Sequence, residues 1–176
     1  ATLTMLLAAV DDRLAAAAEM SGNTENVACP NFLPPGSTDD AEQDFVGSGP
    51  LGFDRWDLFY PFAPKPMLVG ISDRDFFGTY SPNYVAGSRR EYQRLEGIYK
   101  TLGAERNLGW TDTALPHGLS YDSRLQMYNW LRRHLMGENE PLTEEPAVSP
   151  EPDRKLWVSP QGSTVAAVGS GTPFSL

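Results

Sequence analysis

The sequence predicts an α/β protein with a doubly wound, mostly parallel sheet, and its alternating elements support this class. Pro66 to Ile71 is a short apolar run followed by polar residues, which is typical of a strand buried on both faces. A helix is predicted from about Ser88, its N-cap, to Leu102, and a second strand from Leu108 to Thr113. A further amphipathic helix, capped by Asp122 or Ser123, follows and ends at Gly137. Strands that alternate with helices in this way favour a parallel sheet.

The N-terminal segment predicts another helix, followed by a short strand. Apolar residues recur there at helical spacing and form one stripe: Leu3, Leu6, Leu7, Val10 and Leu14. The strand is predicted at Leu14 to Ala18. Ser21 to Tyr60 has little periodicity and is predicted to be loop with short helices.

Composition divides the chain into three parts. Residues 1–137 carry the alternating strands and helices, and we expect them to form the C-terminal part of a larger catalytic domain. Residues 138–155 hold six acidic residues and four prolines, which predicts a linker. Residues 156–176 are predicted to form a β-hairpin around a turn at Pro160, and we expect this hairpin to begin a following domain.

Two strand ends carry residue types suited to acid–base catalysis. Asp73 and Asp75 follow the first predicted strand, and His117 lies in a turn after the second one. The carboxyl ends of parallel strands are where open α/β sheets place their active residues. A carboxylate there can orient an imidazole that acts as general base. Alternatively, the aspartates are helix caps or turn residues and His117 is a surface residue. His134, inside the last helix, is assigned to stabilisation of the helix C-terminus.

A nucleophile is missing from this pattern. No G-x-S-x-G elbow occurs in the 176 residues. Ser48 and Ser170 each stand between two adjacent glycines, and Ser72 has a glycine only on its N-terminal side. We therefore expect the nucleophilic serine to lie in another part of the protein, and this chain alone to be inactive.

Several segments, in order along nearly the whole chain, resemble blocks of one known family. The chain resembles the C-terminal half of the catalytic domain of a bacterial acetyl xylan esterase-like α/β-hydrolase, related to the dienelactone hydrolase and prolyl oligopeptidase groups. The matching blocks are Thr2 to Arg13, Asp39 to Gln43, Ala63 to Leu68, Arg74 to Phe77, Ile98 to Ala104, Pro116 to Gly118 and Leu156 to Gly162.

The resemblance implies roles for individual residues. Asp75 matches the family acid better than Asp73, because it directly precedes the Phe-Phe pair, and His117 matches the family base. The implied activity is that of a serine esterase acting on a small ester or an acylated carbohydrate. Trp56, Phe76 and Tyr80 are predicted to bind substrate, since pocket walls favour aromatic rings, although packing under the sheet edge is the alternative for the aromatic cluster around Trp56.

The resemblance also bears on partners and location. It favours a secreted or periplasmic protein. The resemblance implies that the strands of the N-terminal half of the domain are absent from this chain. Their absence would leave a sheet edge open and the apolar face of the first helix uncovered, so we expect an N-terminal fragment or a second copy of the chain to cover them. Two other functions stay open: a non-catalytic, hydrolase-like interaction domain, and a peptidase of the prolyl oligopeptidase type.

Charge and composition argue against other classes of function. The net charge of −9, with no cluster of basic residues, argues against binding to nucleic acid or anionic membranes. No apolar run approaches the roughly 20 residues of a membrane span. One cysteine and two distant histidines make a catalytic metal unexpected, and no cofactor is predicted.

Overall fold

The computed structural model describes residues 2–22, 47–75, 84–169, 171–172 and 174–175. The chain divides into two compact units, Ala1–Glu144 and Glu145–Leu176. No helix within these described residues is long and apolar enough to cross a membrane.

The first unit is built on a parallel sheet whose described strands run in the order β1-β2-β3. Its helices and strands are α1 (Thr2–Val10), β1 (Ala17–Met20), α2 (Ser48–Leu51), β2 (Met67–Arg74), α3 (Tyr84–Thr101), β3 (Leu108–Pro116) and α4 (Tyr121–Leu131). Short 3-10 helices span Arg55–Leu58, Tyr60–Phe62 and Glu105–Asn107, and a π-helical turn, Arg132–Met136, continues α4.

The central strand β2 is buried on both faces, as its apolar sequence predicts. Met67 to Ser72 are all buried, and the strand pairs with β1 on one side and β3 on the other. Met67 and Val69 face a core of side chains from α1, α3 and the 3-10 helices. On the opposite face, α4 packs against the sheet, and Trp130 lies close to Leu68. Helices therefore cover both faces of the sheet.

Helix α3 forms the crossover between the parallel strands β2 and β3 and begins earlier than the sequence predicts. Ser88 was expected to cap the helix, but the helix starts at Tyr84. The Ser88 hydroxyl instead donates a hydrogen bond of 2.9 Å to the carbonyl of Tyr84, one turn back, and is fully buried. A serine hydroxyl satisfied in this way fits a helix interior.

Helix α1 presents a different face to the core than its leucine stripe suggests. Met5 and Ala8 are buried, whereas Leu3 and Val10 are 66% and 78% exposed. The helix packs against β1 and the 3-10 helices Arg55–Leu58 and Tyr60–Phe62, so these contacts select the buried face. Of the apolar stripe, Leu3, Leu7 and Val10 are thus left exposed by the described residues, while Leu6 and Leu14 pack partly against the core.

Helix α4 approaches β3 closely, and this contact requires a glycine. A β-carbon built on Gly109 would lie 2.7 Å from the Trp130 ring and 3.1 Å from Leu68. The helix is capped by Ser120, whose hydroxyl accepts a hydrogen bond from the Ser123 amide, rather than by Asp122 or Ser123 as predicted.

We expect Gly109→Ala to lower the free energy of unfolding by about 1–3 kcal/mol, because the added methyl group overpacks the contact with Trp130. Gly97→Ala is the matched control. Gly97 lies inside α3, and a β-carbon there meets no atom within 4 Å. Alanine is the better helix former, so this variant should gain roughly 0.5–1 kcal/mol. Urea unfolding of both variants measures the difference, and equal effects would contradict the close approach of α4.

The C-terminal unit contains short helices where a β-hairpin was predicted. Helix α5 spans Asp153–Leu156 and helix α6 spans Thr164–Val168. The turn itself forms, since the Gly162 amide donates a hydrogen bond of 3.0 Å to the Ser159 carbonyl. The hairpin prediction is wrong because the segment after the turn is rich in alanine, which prefers helix to strand.

Candidate active site at the carboxyl ends of the strands

The parallel sheet brings three polar chain segments to one edge. Ser21 follows β1, Asp75 follows β2, and His117 follows β3. These residues are distant in sequence, but the register of the three strands places their carboxyl ends side by side. Local sequence thus supplies the residue types, and strand pairing assembles them.

Asp75 and His117 form a direct hydrogen bond. The distance from Asp75 Oδ2 to His117 Nδ1 is 2.7 Å. The pairing of β2 with β3 is irregular between Ser72 and Arg74, just before Asp75. Irregularities of this kind redirect side chains and are frequent next to active sites. The Asp75 amide also donates a hydrogen bond of 3.0 Å to the Ser72 carbonyl, which fixes the turn that carries the carboxylate.

Burial differs sharply between the two partners. The Asp75 side chain is fully buried, whereas the His117 ring is 42% exposed. An ionised carboxylate only accepts hydrogen bonds, so Nδ1 carries the hydrogen, and in a neutral ring Nε2 keeps its lone pair. With the carboxylate ionised, this hydrogen bond favours the tautomer in which Nε2 can accept a proton.

Asp73, the alternative acid, lies elsewhere. It is exposed on β2 and makes no hydrogen bond with any residue in the described part of the chain. Burial and the charge of Asp112 raise its pKa, and Arg89 partly offsets them. The structure therefore brings Asp75, and not Asp73, to the histidine.

Three aromatic residues were predicted to bind substrate, and the structure describes one of them. Trp56 is only 1% exposed and packs on Phe59, with ring centroids 4.8 Å apart. It belongs to the hydrophobic core of the described residues, which agrees with the packing alternative for this aromatic cluster, and its role in substrate binding stays a prediction. Phe76 and Tyr80 lie outside the described residues.

Two buried serines connect the three strand ends, a role that the sequence analysis did not predict for either of them. The hydroxyls of Ser21 and Ser72 lie 2.7 Å apart, and Ser21 Oγ donates a hydrogen bond of 3.0 Å to the carbonyl of Gly118. Ser21 also has a φ of 54°, which is uncommon for a residue other than glycine. The adjacent Gly22 carbonyl accepts a hydrogen bond of 2.8 Å from the Tyr84 hydroxyl.

Glu19 is a second buried carboxyl group near the site. It pairs in register with Val69, faces the apolar core and is fully buried. Within the described part of the chain, neither of its oxygens meets hydrogen-bond geometry with a partner. Burial raises the pKa of Glu19 to about 8, and the negative charge of Asp75 adds to the effect, while the positive N-terminus and the Gly22 amide oppose it. The sequence analysis placed this residue just after the predicted strand Leu14 to Ala18 and gave it no role, whereas the observed strand contains it.

The second histidine and the serines next to glycines were the other candidates from the sequence. His134 lies against the Trp130 ring, 4.2 Å between centroids, and burial lowers its pKa. Ser48 begins α2, and Ser170 lies outside the described residues. Among the residues that the structure describes, no group of three or more histidine, cysteine or acidic side chains could hold a metal ion.

Sequence comparisons and structural comparisons differ in what they find. Neither a protein-family model nor a curated protein matches the sequence. Solved structures do match the fold. A carbohydrate esterase family 15 glucuronoyl esterase from Caldicellulosiruptor kristjansonii has a TM-score of 0.54 and 16% identity, over 85% of this chain and 45% of that one.

Two further solved structures match the fold of this chain. The catalytic domain of a glucuronoyl esterase from Hypocrea jecorina has a TM-score of 0.55 and 14% identity, over 90% of this chain and 48% of its own. A methylesterase has a TM-score of 0.53 and 22% identity, over 82% and 31%. The chain spans less than half the length of each. At these identities the likeness shows the fold alone, and it confirms the fold prediction: the chain forms part of an α/β-hydrolase fold.

Proposed function

We propose that this chain supplies the acid and the base of a serine-type carboxylic ester hydrolase. The observation that carries the proposal is the 2.7 Å hydrogen bond between buried Asp75 and the half-exposed His117 at the carboxyl edge of the sheet. The α/β-hydrolase fold supports it, because in that fold the acid and the histidine follow the nucleophile in the chain.

Each residue has a distinct task in the proposed reaction. A serine outside this chain attacks the ester carbonyl, and His117 Nε2 takes its proton. Asp75 stabilises the imidazolium that forms, because its carboxylate accepts the Nδ1 hydrogen bond at short range. The imidazolium then returns the proton to the leaving alcohol. The acyl group stays on the serine as an ester. Water then attacks this ester while His117 takes its proton, and the proton returns to the serine oxygen as the carboxylic acid leaves.

The substrate is proposed to be an ester of a carbohydrate. Sequence resemblance points to an acetyl group carried by a sugar, whereas the fold neighbours are named glucuronoyl esterases and a methylesterase. In an acetylated sugar the sugar is the alcohol part of the ester, whereas in a glucuronoyl ester it is the acid part. Assays with p-nitrophenyl acetate and with a methyl ester of glucuronic acid distinguish the two acyl groups, and a peptide anilide tests the peptidase alternative.

We expect this chain alone to hydrolyse none of these substrates at an enzymatic rate. Its 176 residues contain no nucleophile elbow, and the elbow normally supplies an oxyanion-hole donor as well. Addition of a separately produced N-terminal fragment that carries the elbow should generate activity sensitive to serine reagents. Complementation with a His117→Ala chain is the control and should stay inactive.

Two outcomes would contradict the proposal. If this chain alone showed activity sensitive to serine reagents, the nucleophile would have to lie within it. A complemented protein that is folded, yet inactive on all three ester and peptide substrates, would favour the remaining alternative, a non-catalytic interaction domain.

A further inference from the structure

We propose that Ser21 is a positioning residue for His117. The inference rests on the proposed function, in which His117 is the general base. Ser21 lies at the end of β1, 97 positions away from Gly118 in the sequence, yet its hydroxyl contacts the backbone of the residue that follows the histidine.

The direction of the hydrogen bonds follows from the number of hydrogens available. The Ser21 hydroxyl has one hydrogen, and the Gly118 carbonyl can only accept, so Ser21 donates to Gly118. The hydroxyl of Ser72 must then donate to Ser21 Oγ, 2.7 Å away. The result is a chain of two hydrogen bonds from β2 through Ser21 to the His117 turn.

This chain ties the two catalytic segments to one point. The Ser72 carbonyl accepts the hydrogen bond from the Asp75 amide, while the Ser72 hydroxyl contacts Ser21. Ser21 in turn holds the carbonyl next to His117. The turn that carries Asp75 and the turn that carries His117 therefore both contact the same pair of buried serines, in addition to their direct hydrogen bond.

The backbone of Ser21 supports a specific role. A serine at a φ of 54° adopts the left-handed region, which a glycine would occupy at lower energy. Ser21 is held there by its amide, which donates 2.9 Å to the Gly70 carbonyl, and is 5% exposed. A strained serine at a position suited to glycine indicates that the hydroxyl itself is needed.

The test is an NMR comparison of Ser21→Gly and Ser72→Ala in this chain. Ser21→Gly removes the hydroxyl and relieves the backbone, so the fold should survive. The readout is the low-field proton resonance of His117 Nδ1–H together with the imidazole nitrogen shifts, which report the tautomer. His134, the other histidine, is the internal reference.

We expect Ser21→Gly to lose the His117 Nδ1–H resonance through faster exchange, while Ser72→Ala, which removes one link of the chain but leaves the bond from Ser21 to Gly118, should broaden the resonance less. In the complete enzyme, Ser21→Gly should lower kcat on the order of 10- to 100-fold with KM unchanged. The NMR result does not depend on activity, so an inactive enzyme would count against the proposed function and not against this inference.

Three results would overturn the positioning role. One is a folded Ser21→Gly chain in which the His117 signals match the wild type. Another is a wild-type chain without the low-field resonance. The third is unfolding of Ser21→Gly, which would make Ser21 a requirement of the fold and not of the histidine.

Discussion

Under the proposed function, Asp75→Asn in the complemented protein is expected to lower kcat on the order of 10⁴-fold without loss of folding. An asparagine amide in the place of the carboxylate favours the tautomer with hydrogen on Nε2, and that nitrogen then no longer accepts the proton of the nucleophile. The stabilisation of the imidazolium is lost as well. Steady-state kinetics with an ester substrate measures the effect, and circular dichroism checks the fold.

Asp73→Asn is the matched control. It changes the same residue type two positions earlier, where the side chain is exposed and makes no hydrogen bond with the described residues. We expect its kcat to stay near that of the wild type. The reverse result, with Asp73→Asn inactive and Asp75→Asn active, would show that the acid was assigned to the wrong carboxylate.

The proximity of Asp75 and His117 could be predicted because both signals are local. Each residue directly follows a strand with a clear hydrophobic pattern, and parallel strands place their carboxyl ends together. The burial of strand β2 in particular can be predicted without knowledge of the neighbouring elements, since a continuous apolar run is itself typical of burial on both faces.

Other features depend on contacts that a sequence pattern does not contain. The buried face of α1 is chosen by β1 and by the 3-10 helices, so Met5 is buried and Leu3 is exposed. The four-residue strand β1 acquires its register from pairing with β2, which moved it beyond the predicted Leu14 to Ala18. Glu19 and Ser21 were missed for this reason.

A signal for Glu19 and Ser21 was nevertheless present. Both lie in A-A-E-M-S-G, where a small-residue segment gives way to polar residues, as at the ends of β2 and β3. The rule that identified Asp75 and His117 would have selected Ser21 if the strand had been predicted to end at Met20, two residues later. Glu19 lies inside the strand, where that rule does not apply. For Ser21 the error was thus in the boundary of the element.

The burial of Glu19 leads to a large expected effect of pH on stability. The pKa of this carboxyl is about 8 in the folded protein, against an ordinary value of 4.5. Between these values the unfolded chain releases the proton and the folded chain keeps it. The stabilisation is therefore fully present below pH 4.5, and it is lost as the pH rises towards 8, by at most about 5 kcal/mol.

The positive N-terminus favours the charged form of Glu19, but burial outweighs it and still holds the pKa at about 8. A fully buried carboxyl stays protonated below its pKa, because the charged form is costly in an apolar environment. Glu19 is therefore expected to be neutral in the folded protein at pH 7.

Glu19→Gln should remove this part of the pH dependence, since glutamine resembles the protonated acid but does not titrate. We expect the variant to be close to the wild type at pH 5 and more stable than it at pH 8. Urea unfolding of both chains at the two pH values measures the difference. Glu105→Gln, at an exposed glutamate, is the control and should leave the pH dependence unchanged. A Glu19→Gln chain with the same loss of stability between pH 5 and pH 8 as the wild type would mean that Glu19 is ionised, and hence compensated, in the folded protein.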